Sequence, residues 1–136
     1  MRIMAIDFGD ARIGLAVSDE TQTLTGDAWT LPEHNMERAA DKIVAEAKAR
    51  NVCRFVLGYP KNMDGTLGPR AEKSEQLKAL LETRADIPVT LWDERRTSIA
   101  AHDILHANGK KMKEHRKSVD AVAASLILEG YLGTLS

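Results

Sequence analysis

The chain has 136 residues and a formal net charge of −1, with 43% hydrophobic and 29% charged side chains. This length suits one compact domain over residues 1–136, and the composition is typical of an ordinary globular protein that folds in water. Because the net charge is near zero, a surface that is basic throughout is excluded, and any site for a polyanion must be local.

Cysteine usage and hydropathy indicate the compartment. Cys53 is the only cysteine, so an intramolecular disulfide is impossible, as is usual in a reducing cytosol. It lies in the apolar run VCRFVLG, where we expect it to be a small core hydrophobe. No apolar run approaches the roughly 18 residues of a membrane span, and the N-terminus lacks the layout of a signal peptide. We therefore expect a cytoplasmic protein with no membrane partner.

The first part of the chain predicts three strands. Residues 2–7 are nearly all apolar, residues 13–18 form a second apolar run, and residues 21–31 form a third extended run that ends at Pro32. Because short connections between successive strands favour hairpins, we expect these three strands to be antiparallel.

The middle of the chain alternates helices with two more strands. Residues 36–47 predict an amphipathic helix, because apolar side chains recur there with helical spacing. Strands are predicted at residues 52–57 and 88–92, separated by a long loop and a second helix. The near-continuous apolar sequence of the first of these strands indicates a central position, parallel to its neighbour.

Two helices are predicted after the fifth strand. The first is capped by Thr97 or Ser98 and stops at residues 108–109, Asn-Gly. The second carries one apolar stripe, formed by Val119, Val122, Ala123, Leu126, Ile127 and Tyr131. Three hairpin strands followed by strand–helix units predict a mixed sheet with helices packed on its faces, an α/β layered domain.

Acidic residues stand at the ends of two of these strands and at one helix start. Asp7 ends the first strand, Asp93 and Glu94 follow the fifth, and Asp120 lies in the first turn of the last helix. In such a sheet, ligands collect at the carboxyl ends of the parallel strands. Three carboxylates meeting there would repel one another without a cation, and hard oxygen ligands suit Mg²⁺ or Mn²⁺. A pair of such ions can stabilise the attacking and the leaving oxygen of a phosphodiester.

Each acid also has a purely structural interpretation. Asp7 can cap the following turn through its side chain, and Asp93 or Glu94 can pair with the arginines that follow. Asp120 is favoured near a helix N-terminus by the helix dipole, whatever its function. The hypothesis of a metal site therefore depends on the three positions together.

A basic run lies at residues 110–117. Five basic side chains and one acidic one give it a local charge of +4 in a slightly acidic chain. Placed just before the helix that carries Asp120, it would attract a phosphate backbone in a salt-dependent way, although a solvated loop is the alternative interpretation. Two other patterns are weak. His102 and His106 lack a third ligand, and the D-x-G turn that begins at Asp7 also opens ATP-binding domains of the sugar-kinase and actin type.

Four blocks of sequence together resemble one family. They are AIDFGDARIGLAVSD, GYPKNMDGTLGPRA, DERRTS and SVDAVAASLILEGYL, in that order along the chain. The chain thus resembles the YqgF/RuvX family of bacterial ribonuclease-H-like proteins, which are described as pre-16S rRNA nucleases and as Holliday junction resolvases. The resemblance implies the ribonuclease-H-like fold, an α/β fold in which a mixed five-stranded sheet, three antiparallel strands and then two parallel ones, has helices on both faces.

The resemblance also implies residue roles. Asp7, Glu94 and Asp120 match the metal-binding and catalytic triad of the family, with Asp93 as the neighbouring alternative to Glu94. Substrate phosphate is expected to contact basic residues of the motifs and of the lysine run: Arg12, Arg70, Arg95, Lys110, Lys111 and Lys113.

The leading hypothesis is a cytoplasmic nuclease that depends on Mg²⁺ or Mn²⁺ and acts on structured RNA, above all precursor 16S rRNA in ribosome biogenesis. Its partners would be nucleic acid and ribosomal particles, and we expect a monomer or a weak homodimer. One alternative is a Holliday-junction resolvase of DNA repair and recombination, which normally needs a dimer. Another is a catalytically silent RNA-binding factor in ribosome assembly. An ATP-dependent phosphotransferase would need a second such domain, which 136 residues do not supply.

Overall fold

The computed structural model describes residues 1–9, 11–60, 68–93 and 119–135. In chain order the elements are β1 (Arg2–Phe8), β2 (Arg12–Ser18), β3 (Thr25–Pro32), α1 (Met36–Ala49), β4 (Val52–Tyr59), α2 (Pro69–Arg84), β5 (Val89–Asp93) and α3 (Val119–Thr134). Within these ranges, none of the helices is long and apolar enough to cross a membrane. The helix predicted to start at Thr97 or Ser98, with His102 and His106, lies outside the described residues.

The strands form one mixed sheet of five, in the order β3-β2-β1-β4-β5. β1 pairs antiparallel with β2, and β2 pairs antiparallel with β3, as the short connections between them predict. β4 pairs parallel with β1, and β5 pairs parallel with β4. The predicted arrangement of three antiparallel strands followed by two parallel ones is therefore confirmed.

Helices cover both faces of this sheet. Because side chains alternate along a strand, Met4 and Ile6 of β1 face a core shared with α1 and α2, whereas Ile3 and Ala5 face a core shared with α3. All four are at most 2% exposed, so β1 is buried on both faces, as its continuous apolar sequence predicts. Cys53, which we expected in the core, is only part-buried, and that expectation is wrong.

The prediction for the third strand is wrong at its start. The strand begins at Thr25 and not at residue 21. The carboxylate of Asp19 accepts hydrogen bonds from the backbone N–H of Thr23 at 3.0 Å and from the hydroxyl of Thr21 at 2.8 Å. These bonds close a turn, and residues within that turn cannot pair as a strand.

The last helix buries a broader face than the predicted stripe. Leu126 and Ile127 are buried as predicted, but Val122, Ala123 and Tyr131 are only part-buried, and the side chain of Val119 lies outside the described residues. The buried set includes side chains on either side of the stripe: Ala121, Ala124, Leu128 and Leu132. The reason is that α3 packs across β1, β2, β3 and β4, and a helix that covers four strands needs a wide apolar face.

Candidate active site

The carboxylate of Asp7 belongs to the carboxyl end of β1. Asp7 is the sixth of seven strand residues and is part-buried. It follows Ala5 by two positions, so its side chain shares the face of the sheet that α3 covers. Since a carboxylate loses favourable hydration when it is buried, this position suits an acid that is compensated by a cation or by hydrogen-bond donors.

Asp120 is brought next to Asp7 through Gly14. Asp7 and Gly14 are direct partners in the antiparallel pair of β1 and β2, which sets their Cα atoms about 4.5–5.5 Å apart. A Cβ built on Gly14 would lie 1.9 Å from the backbone carbonyl oxygen of Asp120. The first turn of α3 therefore rests on the Cα of Gly14. The backbones of the two acids therefore lie close together on one face and at one edge of the sheet.

Asp93 ends β5 on the other face of the sheet. It pairs with Tyr59 of β4, and the hydroxyl of Tyr59 donates a hydrogen bond to Glu75 Oε1 of α2 at 2.8 Å. Because paired residues of adjacent strands share a face, Asp93 lies on the side of α2. Asp7 and Asp120 lie on the side of α3, so Asp93 is not brought together with them.

Five predicted site residues lie outside the described part of the chain: Glu94, Arg95, Lys110, Lys111 and Lys113. Within the described ranges, no three His, Cys, Asp or Glu side chains form a group that could hold a metal ion. Asp7 and Asp120 are two of the three predicted ligands.

Two predicted phosphate-binding arginines lie at the same edge of the sheet as the carboxylates. Arg12 is exposed at the start of β2 and, two residues before Gly14, shares the α3 face. Arg70 is exposed in the first turn of α2. In that helix the hydroxyl of Ser74 donates to the carbonyl oxygen of Gly58, near the end of β4, at 3.2 Å. Arg12 is thus on the carboxylate face, and Arg70 is on the α2 side of the same edge.

The bond between Tyr59 and Glu75 is a feature of this edge that the sequence analysis missed. Tyr59 is 8% exposed. The hydrogen bond to Glu75, followed by burial, raises the pKa of the phenol, so Tyr59 stays protonated and donates. The bond ties α2 to the end of β4. No sequence pattern marks a polar pair 16 residues apart, whereas the close contact at Gly14 does have a signal, a glycine inside an apolar strand.

The two described carboxylates fit a hard divalent cation. Both offer oxygen donors, which Mg²⁺ and Mn²⁺ prefer. They come from different elements, Asp7 from a strand and Asp120 from a helix, and a glycine at position 14 leaves no side chain between the two backbones. The donor chemistry and the close approach of the two backbones would suit a cation held by Asp7 and Asp120.

Comparison with solved structures shows which fold this is. The Fowlpox virus resolvase, in a complex with Holliday junction DNA, superposes with a TM-score of 0.63 and 13% identity, covering 99% of this chain and 99% of that chain. Thermus thermophilus RuvC, in a complex with a Holliday junction substrate, gives a TM-score of 0.64 and 13% identity, covering 98% and 97%. This chain therefore has the ribonuclease-H-like fold, as predicted.

Comparison of sequences then gives the family. The family model described as "RuvX: Holliday junction resolvase" matches residues 1–134. A Bacillus subtilis protein named as a pre-16S rRNA nuclease is 37% identical over 142 residues, covering 100% of both chains. The chain belongs to the RuvX family. This confirms the family that the sequence motifs indicated. It also confirms the predicted class of enzyme, a nuclease that hydrolyses phosphodiester bonds.

Proposed function

We propose that this protein is a nuclease that cleaves structured RNA with Mg²⁺ or Mn²⁺, and that its substrate is precursor 16S rRNA in ribosome biogenesis. The observation that carries the proposal is the approach of Asp7 and Asp120 at the carboxyl edge of the sheet, with Gly14 between them. The name of the Bacillus subtilis relative supports the choice of substrate.

We infer that Glu94, and not Asp93, completes the acidic set. Asp93 lies on the α2 face through its pairing with Tyr59. Trp92, one residue earlier, packs in the core under α3. Asp93 therefore lies on the opposite face of the sheet from Asp7 and Asp120, which leaves its sequence neighbour Glu94 as the third predicted ligand.

The carboxylates would hold the cation from two rigid elements, Asp7 from β1 and Asp120 from α3. A bound divalent cation would supply charge stabilisation for the phosphate during hydrolysis. Arg12, exposed on the same face and at the same edge, would bind a neighbouring phosphate of the substrate. Because strand and helix fix these groups before the substrate arrives, little reorganisation is needed at the moment of reaction.

The wider setting is part of the same proposal. We place the protein in the cytoplasm as a single domain of residues 1–136, acting on RNA alone or within ribosomal particles, as a monomer or a weak homodimer. Its net charge of −1 supports a local and not a general attraction to nucleic acid. The basic side chains of Arg95, Lys110, Lys111 and Lys113 would supply that attraction.

The decisive variant is Asp7→Asn. We expect it to lower the rate of cleavage by about a thousandfold, which corresponds to roughly 4 kcal/mol of barrier, while the thermal unfolding midpoint stays near that of the wild type. Single-turnover cleavage of a precursor 16S rRNA fragment with Mn²⁺ measures the rate. The control is Asp27→Asn, which alters an exposed carboxylate in β3 and should cleave normally. The proposal is contradicted if Asp7→Asn cleaves at the wild-type rate once contaminating nuclease is excluded.

The description of the family model favours a second candidate, resolution of four-way DNA junctions. The same carboxylates would serve either substrate, so the substrates must compete directly. Wild-type protein is given equal amounts of precursor rRNA and junction DNA with Mn²⁺, and its mass in solution is measured. Paired cuts in the junction, made by a dimer and faster than RNA cleavage, would favour the resolvase. Salt-sensitive RNA binding without turnover of either substrate would favour a silent assembly factor.

A further inference from the structure

Position 14 is a point of close approach between the sheet and the helix that carries Asp120. We propose that Gly14 is a positioning residue, which sets the separation of Asp7 and Asp120 without touching substrate or cation. The inference rests on the proposed metal site of these two acids. Gly14 would act through its lack of a side chain, which lets the first turn of α3 approach the strand closely.

The contact at Gly14 involves backbone atoms of the helix. A Cβ at this position would lie 1.9 Å from the carbonyl oxygen of Asp120, 2.4 Å from its carbonyl carbon and 3.1 Å from the amide nitrogen of Ala121. Since nonbonded contacts to carbon settle near 3.5 Å, any side chain would displace the first turn of α3 by about 1.5 Å. A helix backbone cannot rotate aside as the end of a flexible side chain can.

The strand cannot yield in place of the helix. Gly14 is buried inside β2, paired with Asp7 on one side and with Thr30 on the other. Its neighbours Ile13 and Leu15 are 0% exposed in the core under α1 and α2. Pairing with the neighbouring strands holds β2 at both edges, and the densely packed core under α1 and α2 supports its other face. The first turn of α3 is therefore the part that must move.

The remainder of α3 restricts how the displacement spreads. Ala124 and Leu128 are 0% exposed and share a core with Ala16 of β2. A side chain at position 14 would therefore tilt the first turn outward while later turns stay docked. Because Asp120 belongs to that first turn, its carboxylate would move away from Asp7.

A metal site is sensitive to displacements of this size. Changes to residues that orient metal ligands typically weaken metal binding about 10–100-fold. A misplacement of about 1 Å can lower a catalytic rate about a hundredfold. We therefore expect Gly14→Ala to weaken Mn²⁺ binding about 10–100-fold. We expect the same change to slow RNA cleavage at least about a hundredfold.

The experiment measures Mn²⁺ affinity directly, without turnover. Isothermal titration calorimetry compares wild type, Gly14→Ala and the control Gly133→Ala, all well below their unfolding midpoints. Gly133 belongs to the same helix, but a Cβ there would meet nothing within 4 Å. The control should bind Mn²⁺ with wild-type affinity, and its helix should gain slightly in stability.

A longer side chain at position 120 provides the readout that separates positioning from general structure. In the wild-type background Asp120→Glu should weaken Mn²⁺ binding, because its carboxylate reaches too far. In the Gly14→Ala background the same change should restore part of the affinity, because the extra methylene compensates for the displaced helix. If Gly14 were merely structural, the losses of Mn²⁺ binding free energy caused by Gly14→Ala and by Asp120→Glu would simply add in the double variant.

Each outcome decides the proposal. The proposal is overturned if Gly14→Ala binds Mn²⁺ with wild-type affinity, even where its unfolding midpoint falls. It is also overturned if Asp120→Glu lowers the Mn²⁺ affinity by the same factor in the wild-type and the Gly14→Ala backgrounds. If Gly14→Ala does not fold, the Mn²⁺ affinity of Asp120→Glu in the wild-type background decides. An affinity equal to that of the wild type then overturns the proposal. Failure of the metal site itself is recognised separately, because Asp7→Asn would then bind Mn²⁺ as tightly as the wild type.

Discussion

Asp93 and the next residue in the sequence, Glu94, are expected to differ in role, because Asp93 lies on the opposite face of the sheet from Asp7 and Asp120. We expect Glu94→Gln to lower RNA cleavage about a thousandfold, as Asp7→Asn does. Asp93→Asn should stay close to the wild-type rate, since Asp93 lies on the α2 face with Tyr59. The two variants remove the same charge at adjacent positions, so each is the control for the other. Single-turnover cleavage and Mn²⁺ calorimetry measure the effect. The inference is wrong if Asp93→Asn is the inactive variant of the pair.

Single residues of the site differ in how far the sequence could identify them. Asp7 could be found, because a charge at the end of an apolar strand is costly and visible in the sequence. The choice between Asp93 and Glu94 could not be made, because it depends on the partner of Asp93 in β4. The role of Gly14 could not be found either. A glycine in an apolar strand predicts a close backbone approach, but only the fold shows that the first turn of α3 makes it.

Among the elements, the turn between β2 and β3 depends on one carboxylate. Asp19 accepts hydrogen bonds from the N–H of Thr23 at 3.0 Å and from the hydroxyl of Thr21 at 2.8 Å. These bonds, that from the Thr23 backbone most, lower the pKa of Asp19 from 3.8 to about 2. We expect Asp19→Ala to lower the thermal unfolding midpoint at neutral pH, because the turn then lacks the acceptor that closes it.

The effect of Asp19→Ala should depend on pH with a definite sign. Because the pKa of Asp19 is lower in the folded protein than in the unfolded chain, its stabilisation is present above about pH 4 and is lost as the pH falls through about 2. The difference in unfolding midpoint between wild type and variant should therefore shrink between about pH 5 and about pH 2. Asp86→Ala, which removes an exposed carboxylate before β5, controls for net charge. A difference that grows on acidification would contradict this account.

The types of the elements were more predictable than their faces and ends. The buried side chains of α1 all have the helical spacing from which this helix was predicted, because it packs against one core with one apolar face; they are Ala39, Ala40, Ile43, Val44 and Ala47. The buried face of α3 was not predictable, since it spans four strands and its width is set by their arrangement. The start of β3 was not predictable because the bonds of Asp19 compete locally with strand pairing.

For the whole molecule, attraction to a polyanion depends on where the charges lie, because 19 basic side chains are opposed by 20 acidic ones. Several basic side chains of α1 and α2 are engaged in ion pairs: Lys42 with Glu33, Lys78 with Glu82, and Arg84 with Asp41. The run at residues 110–117 has a local charge of +4 and lies just before the helix of Asp120 in the chain. We therefore expect it to supply much of the affinity for a phosphate backbone.

The test replaces Lys110, Lys111 and Lys113 together by glutamine. RNA affinity should fall most at low salt, because each lysine that binds a phosphate releases counterions on binding. The slope of log affinity against log salt concentration should decrease by about one for each phosphate that is no longer neutralised. Fluorescence anisotropy in an Asp7→Asn background measures binding without cleavage.

The matched control is Lys48→Gln, which removes an exposed charge from the last turn of α1. That turn leads into the start of β4, at the opposite end of the sheet from Asp7. The control should therefore leave the salt slope unchanged. A wild-type slope in the triple variant would place phosphate binding away from the lysine run, at arginines such as Arg12 and Arg70. Because the salt slope depends on how many phosphates are neutralised and not on base sequence, it locates the binding surface even where the natural cleavage site is unknown.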